Sequence, residues 1–155
     1  MADPSDVAHR LLGAIDGDVL FTIRDEFARR APLATATVDD IVSPSMVMVE
    51  LSAGLQGNST GRFDIQWTTE NDYKFHYRDE DLDFRWGHHP HGGDYDVKGY
   101  AHFHPPPDAS NLPTDVEPSC ITVHRPTVVT RAVLTNWHAA YHDGLDELNR
   151  PQYTG

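Results

Sequence analysis

The period of the apolar positions changes along the chain, and the change predicts the order of elements. Over residues 3–16, Val7, Leu11, Leu12 and Ile15 recur at helical spacing behind Asp3 or Ser5 as a cap and Pro4 in the first turn, so a helix is predicted there. Gly13 and Gly17 weaken it, and Asp16-Gly17-Asp18 reads as a turn. Val19 to Val42 fits either a second helix through Ile23, Phe27 and Ala31 or a short strand at 19–24. We take the helix for 24–30, with Pro32 ending it, and so a helical region over 3–31.

From Ser45 the period becomes two, the signature of strands. Val47, Val49 and Leu51 alternate with Met46, Met48 and Glu50; Phe63, Ile65 and Trp67 alternate with Arg62, Asp64 and Gln66. Tyr73, Phe75 and Tyr77 alternate with Lys74, His76 and Arg78, and Leu82, Phe84 and Trp86 with Asp83 and Arg85. These are four antiparallel strands over 45–87, joined by turns at Gly54 to Gly61, Glu70-Asn71-Asp72 and Asp79-Glu80-Asp81. If Phe75 and Tyr77 share the buried face with Leu82 and Phe84, then His76 lies opposite Asp83 or Arg85, because a one-residue slip would invert every side chain. His76, Arg85, Lys74 and Arg78 then share the other face.

Residues 87–118 read as one long loop, rich in glycine and proline, which in a compact domain marks function or disorder. Within it His102 with Phe103 is a candidate strand, and Cys120 to Val123 a candidate final one. Pro126 opens a helix to His142 with Val129, Val133, Trp137 and Tyr141 along one stripe. His138 and His142 sit four apart beside that stripe, a spacing that suits a metal, although half-exposed helix histidines are the plainer reading without a zincin glutamate. Leu145 to Gly155 reads as a frayed tail. The expected fold is α+β: one domain over 1–155, an antiparallel sheet of about four to six strands, N-terminal helices, and a C-terminal helix packed on one face.

Charge narrows the function classes. The net charge is −12, lysine occurs only at Lys74 and Lys98 against ten arginines, and aspartate outnumbers glutamate three to one. Such self-repulsion calls for concentrated salt, which shortens the Debye length to about 3 Å at 1 M, so the composition is that of a halophilic, haloarchaeal proteome. It argues against a broad electrostatic nucleic-acid surface, which weakens steeply with salt; any nucleic acid must be held locally. The lone Cys120 forms no disulfide framework or zinc–thiolate cluster and is expected to pack as a small core residue. No apolar run approaches a membrane span and the first residues lack a signal-peptide pattern, so a cytoplasmic protein is expected.

Candidate chemistry lies in residues 84–104, which hold five of the ten histidines: His88, His89, His91, His102 and His104. Imidazole exchanges protons near neutrality and is also the commonest metal ligand. The order of parts, Phe75 and Tyr77, then Arg85-Trp86, then Pro90-His91, then His102 with His104 and a C-terminal helix, resembles the TumE-like toxins of toxin–antitoxin pairs. Their pattern runs roughly Tyr-x-Tyr, Arg-Tyr-Asp-Asn-x-Pro-His, His-x-Lys-His; here Gly87-His88 stands at the Asp-Asn and Phe103 at the lysine. The resemblance implies a helix-turn-helix antitoxin as partner and RNA cleavage as the toxic activity.

From the residues, three readings stay open. In the first, RNA is cleaved without metal: His102, His104 and His91 supply general base and acid, Arg85 stabilises the charge growing on the phosphate, and His76, His88, His89, Lys74, Arg78 and Trp86 bind the substrate. In the second, some of His88, His89, His91, His102 and His104, three or more of them or with carboxylates such as Asp94, Asp96 or Asp108, hold a divalent metal such as zinc. In the third the histidines stack on Trp86, Tyr95 and Tyr100 in a non-catalytic binding module. A homodimer is the candidate assembly.

Overall fold

The computed structural model describes residues 11–90 and 100–151. They form helix α1 (Gly17–Arg30), strands β1 (Ala34–Val38), β2 (Val47–Leu51), β3 (Gly61–Trp67), β4 (Tyr73–Arg78), β5 (Asp83–His88), β6 (Ala101–His104) and β7 (Glu117–Pro118), then helix α2 (Pro126–Asp143) and a 3₁₀ turn at Leu145–Glu147. The seven strands make one antiparallel sheet in the order β1-β2-β3-β4-β5-β6-β7. The fold is the expected α+β class, with more strands than the four to six predicted.

The period-two pattern survives intact in β2 to β5. Val47, Val49, Phe63, Ile65, Trp67, Tyr73, Phe75, Tyr77, Phe84 and Trp86 are all fully buried. Register pairs Tyr77 with Phe84 and Phe75 with Trp86, so the apolar side chains share one face as the hairpin argument requires. Leu20, Ile23 and Phe27 of α1 and Val129, Val133 and Trp137 of α2 belong to the same core. Each such side chain contributes about 1.5–3 kcal/mol by leaving water. Rings interlock across strands, Trp67 stacking on Tyr73 at 4.7 Å and Tyr77 on Phe84 at 4.8 Å, and along β5, where Phe84 meets Trp86 edge-on at 5.5 Å. The two helices are tied by Glu26, 3% exposed, which accepts from Arg29 and Arg30 of α1 and from Arg131 of α2. The Arg131 hydrogen bond, against the cost of burial, holds the Glu26 carboxyl below its usual range.

The ends differ from expectation. Residues 3–10 of the predicted first helix lie outside the described residues, and Leu11 to Asp16 are not helical. Gly13 has φ +91°, and the backbone of Leu12 is claimed by side chains: its N–H donates to Asp72 at 2.7 Å and its carbonyl accepts from Thr68. A helix cannot use groups bonded elsewhere. Asp16 is no turn residue but the cap of α1, accepting from Val19 N–H at 3.2 Å, so the helix starts earlier than the predicted 24. It ends at Arg30, just before Pro32. β1 was not anticipated, because Ala-Thr-Ala-Thr-Val is short and weakly apolar.

The long loop of 87–118 is also corrected. Gly87 and His88 complete β5, residues 101–104 are β6, and 117–118 add β7. Cys120 to Val123 is not a strand; Cys120 N–H donates to Asn149 at 2.8 Å, and Asn136 donates to its sulfur at 3.0 Å. The tail to residue 151 is not frayed: Leu148 is 1% exposed and its carbonyl accepts from Asn136 at 2.9 Å. Tyr141, placed on the buried stripe of the last helix, is 46% exposed. Among the described residues no helix is long and apolar enough to cross a membrane.

Candidate functional site

The face of β4, β5 and β6 turned away from the core carries the polar partners of the apolar positions. Across the strands the register sets His76 opposite Arg85 and Arg85 opposite His104, with Lys74 opposite Gly87 and Gly87 opposite His102. Neighbouring strands lie about 4.8 Å apart, so Lys74, Arg85, His102 and His104 form a compact group. His89, one residue beyond β5, closes it: its ring centroid is 4.4 Å from that of His102, which is 5.0 Å from His104. Gly87 makes this approach fit. A Cβ there would stand 3.2 Å from His102 Nε2 and 3.3 Å from His89 Cδ2.

Three backbone carbonyls define the imidazoles. Nδ1 of His89 faces Pro90 O at 2.9 Å, that of His102 faces Tyr100 O at 2.7 Å, and that of His104 faces Ser110 O at 2.9 Å. A carbonyl only accepts, so each Nδ1 carries its proton and donates, and in the neutral ring Nε2 is then the basic nitrogen. His104 Nε2 lies 3.5 Å from Arg85 Nη2, and Arg85 Nη2 donates to Asn111 Oδ1 at 2.6 Å. His89, His102 and His104 are buried, at 1%, 0% and 0% exposure. Burial, reinforced by the neighbouring His102, pushes the His89 imidazole down to a pKa of about 2. Lys74 is lowered too, first by burial and then by the Arg85 charge beside it. The group is a cationic, imidazole-lined patch in an acidic protein.

Of the sequence-predicted site residues, the fold brings together Arg85, His102, His104, His89 and Lys74. His76 lies on the same face but is held by Asp83. Arg78 lies at its far end, donating to Asp64 at 2.7 Å. Two assignments are overturned by strand parity. Trp86 is fully buried in the core and cannot stack on a substrate. His88 points to the helix side, where its Nδ1 meets Asp72 at 3.2 Å and its ring meets His124 at 4.4 Å and Tyr73 at 5.8 Å. His91, Asp94, Asp96 and Tyr95 lie outside the described residues. Ser110 and Asn111, which orient His104 and Arg85, were missed. They sit in an irregular segment with no pattern to read, and Asn111 lies 26 residues from Arg85 in sequence. Among the described residues no group of three or more His, Cys, Asp or Glu side chains is placed to hold a metal ion. His138 and His142 stand on α2, away from this face.

The sheet thus carries helices on one face and a guanidinium set among imidazoles on the other. The family model described as Toxin TumE matches residues 24–139, most of the chain, from the second half of α1 through most of α2. The chain belongs to this toxin family. No curated protein and no solved structure matches it.

Proposed function

We propose that this protein is the toxin of a type II toxin–antitoxin pair and that it cleaves RNA without metal at the Arg85–His102–His104 group. Membership of the toxin family supports the first half, and one observation carries the second: a guanidinium nitrogen 3.5 Å from the basic nitrogen of a tautomer-fixed imidazole, with a second imidazole beside it. In this reading one of His102 and His104, with Nε2 unprotonated, takes the proton from the attacking 2′-hydroxyl. The other, entering protonated and with His91 as a further candidate, gives a proton to the leaving 5′-oxygen. Arg85 and Lys74 stabilise the charge growing on the phosphate. The protein works in the cytoplasm at high salt as a homodimer, neutralised by a helix-turn-helix antitoxin that blocks this face.

The test is RNA cleavage by purified protein in excess chelator, with Arg85→Ala and His102→Gln compared at matched melting temperature. Loss of about 100-fold or more in each supports the reading, since a positioned acid or base contributes roughly 10²–10⁴-fold. Full cleavage by both variants overturns it.

A second reading is favoured by the three Nδ1–carbonyl bonds, because metal-ligating imidazoles are oriented by such bonds. Here two of His89, His102 and His104, joined by His91 from outside the described residues, would hold a divalent ion such as zinc. Near-stoichiometric metal by elemental analysis, with a melting temperature lowered by chelation, selects it over acid–base cleavage.

A further inference from the structure

β1 is the terminal strand of the sheet, and among the described residues its outer edge is paired with nothing. Hydrogen bonds at its two ends fix which backbone groups face that edge. Ser52 N–H donates to Leu33 O at 3.0 Å and Asp39 N–H to Met46 O at 3.2 Å. Register sets Thr35 opposite Glu50 and Thr37 opposite Met48. Bonded and non-bonded pairs alternate along an antiparallel ladder, so the odd-numbered residues 33 to 39 turn their N–H and C=O toward β2. Ala34, Ala36 and Val38 turn theirs outward. The Ala34 N–H is taken by Ala31 O at 3.0 Å. The outward row is therefore three carbonyls and the N–H groups of Ala36 and Val38.

Soluble proteins blunt such an edge with charge, proline or a bulge. Ala34-Thr35-Ala36-Thr37-Val38 has no charge or proline, in a chain that is 23% charged. Exposed apolar side chains flank it: Leu33 at 56% before the strand, Ile41 and Val42 at 76% and 93% after it.

We propose that β1 pairs with β1 of a second copy, antiparallel, about a two-fold axis through the Ala36 pair. The inference names the interface of the homodimer read above and is independent of the RNA chemistry. The available groups are self-complementary. Each Ala36 N–H donates to the other copy's Ala36 carbonyl, and each Val38 N–H to the other copy's Ala34 carbonyl, which uses all outward N–H groups and needs none from Ala34. Thr35 of one copy then faces the partner's Thr37 in the closer, non-bonded type of pair, where threonines pack well. An uncharged seam is also what two copies of net charge −12 need in order to approach. A five-residue ladder alone falls short of the roughly 1,200 Å² of a stable interface. The pairing brings Leu33 of one copy toward the Asp39–Val42 corner of the other, at both ends of the seam, and so adds apolar contact.

The test is the mass of the full chain in molar KCl by sedimentation equilibrium. A dimer is expected. Ala36→Pro removes an outward N–H without touching the β1–β2 ladder, and Thr37→Glu sets a charge in the seam with no backbone change; each is expected to raise the dissociation constant at least 100-fold with an unchanged far-UV circular dichroism spectrum. If the proline variant does not fold, Thr37→Glu decides. Ala36→Cys in a Cys120→Ser background should cross-link across the axis on oxidation, since bonded pairs hold Cα atoms about 5.5 Å apart, within disulfide reach. A wild-type monomer overturns the seam and the homodimer together. A dimer indifferent to Thr37→Glu, with no cross-link at residue 36, overturns the seam and leaves the homodimer.

Discussion

His88 and His89 are consecutive residues, yet they sit in opposite environments. His88 faces the helices, with the Asp72 carboxylate 3.2 Å from its Nδ1 and Tyr73 and His124 against its ring. Burial and the nearby His124 lower its pKa, and Asp72 pulls the other way. His89 faces outward into the group of Arg85, His102 and Lys74, where burial and these neighbours lower its pKa and the Pro90 carbonyl pulls the other way. Successive side chains of a strand point to opposite faces, so a run of histidines divides into one that ties the N-terminal segment to the sheet through Asp72 and one that lines the candidate site. Density of histidine in a sequence therefore locates a neighbourhood, and parity decides membership.

The largest expected effect tests the helix-facing side. Trp86→Ala should cost about 3–5 kcal/mol in chemical denaturation, the range for emptying a large core site. A loss below about 1 kcal/mol would return Trp86 to the surface and undo the division between faces.

Next comes the contrast within the histidines. His104→Asn should lower RNA cleavage about 100-fold or more, or roughly 2.7 kcal/mol at 1.36 kcal/mol per tenfold. His88→Asn should leave cleavage within about threefold while lowering stability by about 1–2 kcal/mol, because the buried Asp72 loses a partner. Equal losses of activity in the two variants would erase the distinction.

Acid sharpens it further. The folded pKa of His89 is about 2, against an unfolded value of about 6.5, so below pH 6.5 the unfolded chain binds a proton that the folded chain does not. Stability is then full above pH 6.5 and falls as pH drops, by about 2 kcal/mol at pH 5 from this residue. His88 and His138, also lowered by burial, act in the same direction. His89→Asn should flatten the curve between pH 7 and 5, measured as urea midpoints; an unchanged slope would show that His89 is exposed when folded.

The smallest effect separates the faces by salt. Lowering KCl from 3 M to 0.1 M should reduce the melting temperature by about 5 °C as carboxylates lose their screening. Over the same range RNA should bind the Lys74–Arg85 patch more tightly, because cationic contacts release counterions. A melting temperature independent of salt removes the halophilic reading; affinity that falls on dilution removes the patch as the RNA contact.

Much of this was present in the order of residues. Alternation in 45–87 sets the parity with which β4 pairs β5, because a one-residue slip would bury Lys74, His76 and Arg85, and that parity alone puts His76 and Arg85 on one face. The motif residues from Phe75 to His104 placed the chain beside its toxin family. Three things needed the folded molecule. Whether Leu12 to Asp16 coil into a helix depends on Thr68 and Asp72, more than fifty residues away, which compete for the Leu12 backbone. Which histidines converge depends on β6 returning beside β5 with His102 across from Gly87, a pairing that interrupted, proline-rich sequence conceals. The hold on Arg85 and His104 comes from Asn111 and the Ser110 carbonyl, in a segment without periodicity. Local pattern determines which face a side chain takes, since parity is a property of the strand itself; which side chains meet on that face is decided by long-range backbone and side-chain hydrogen bonds that form only when the sheet closes.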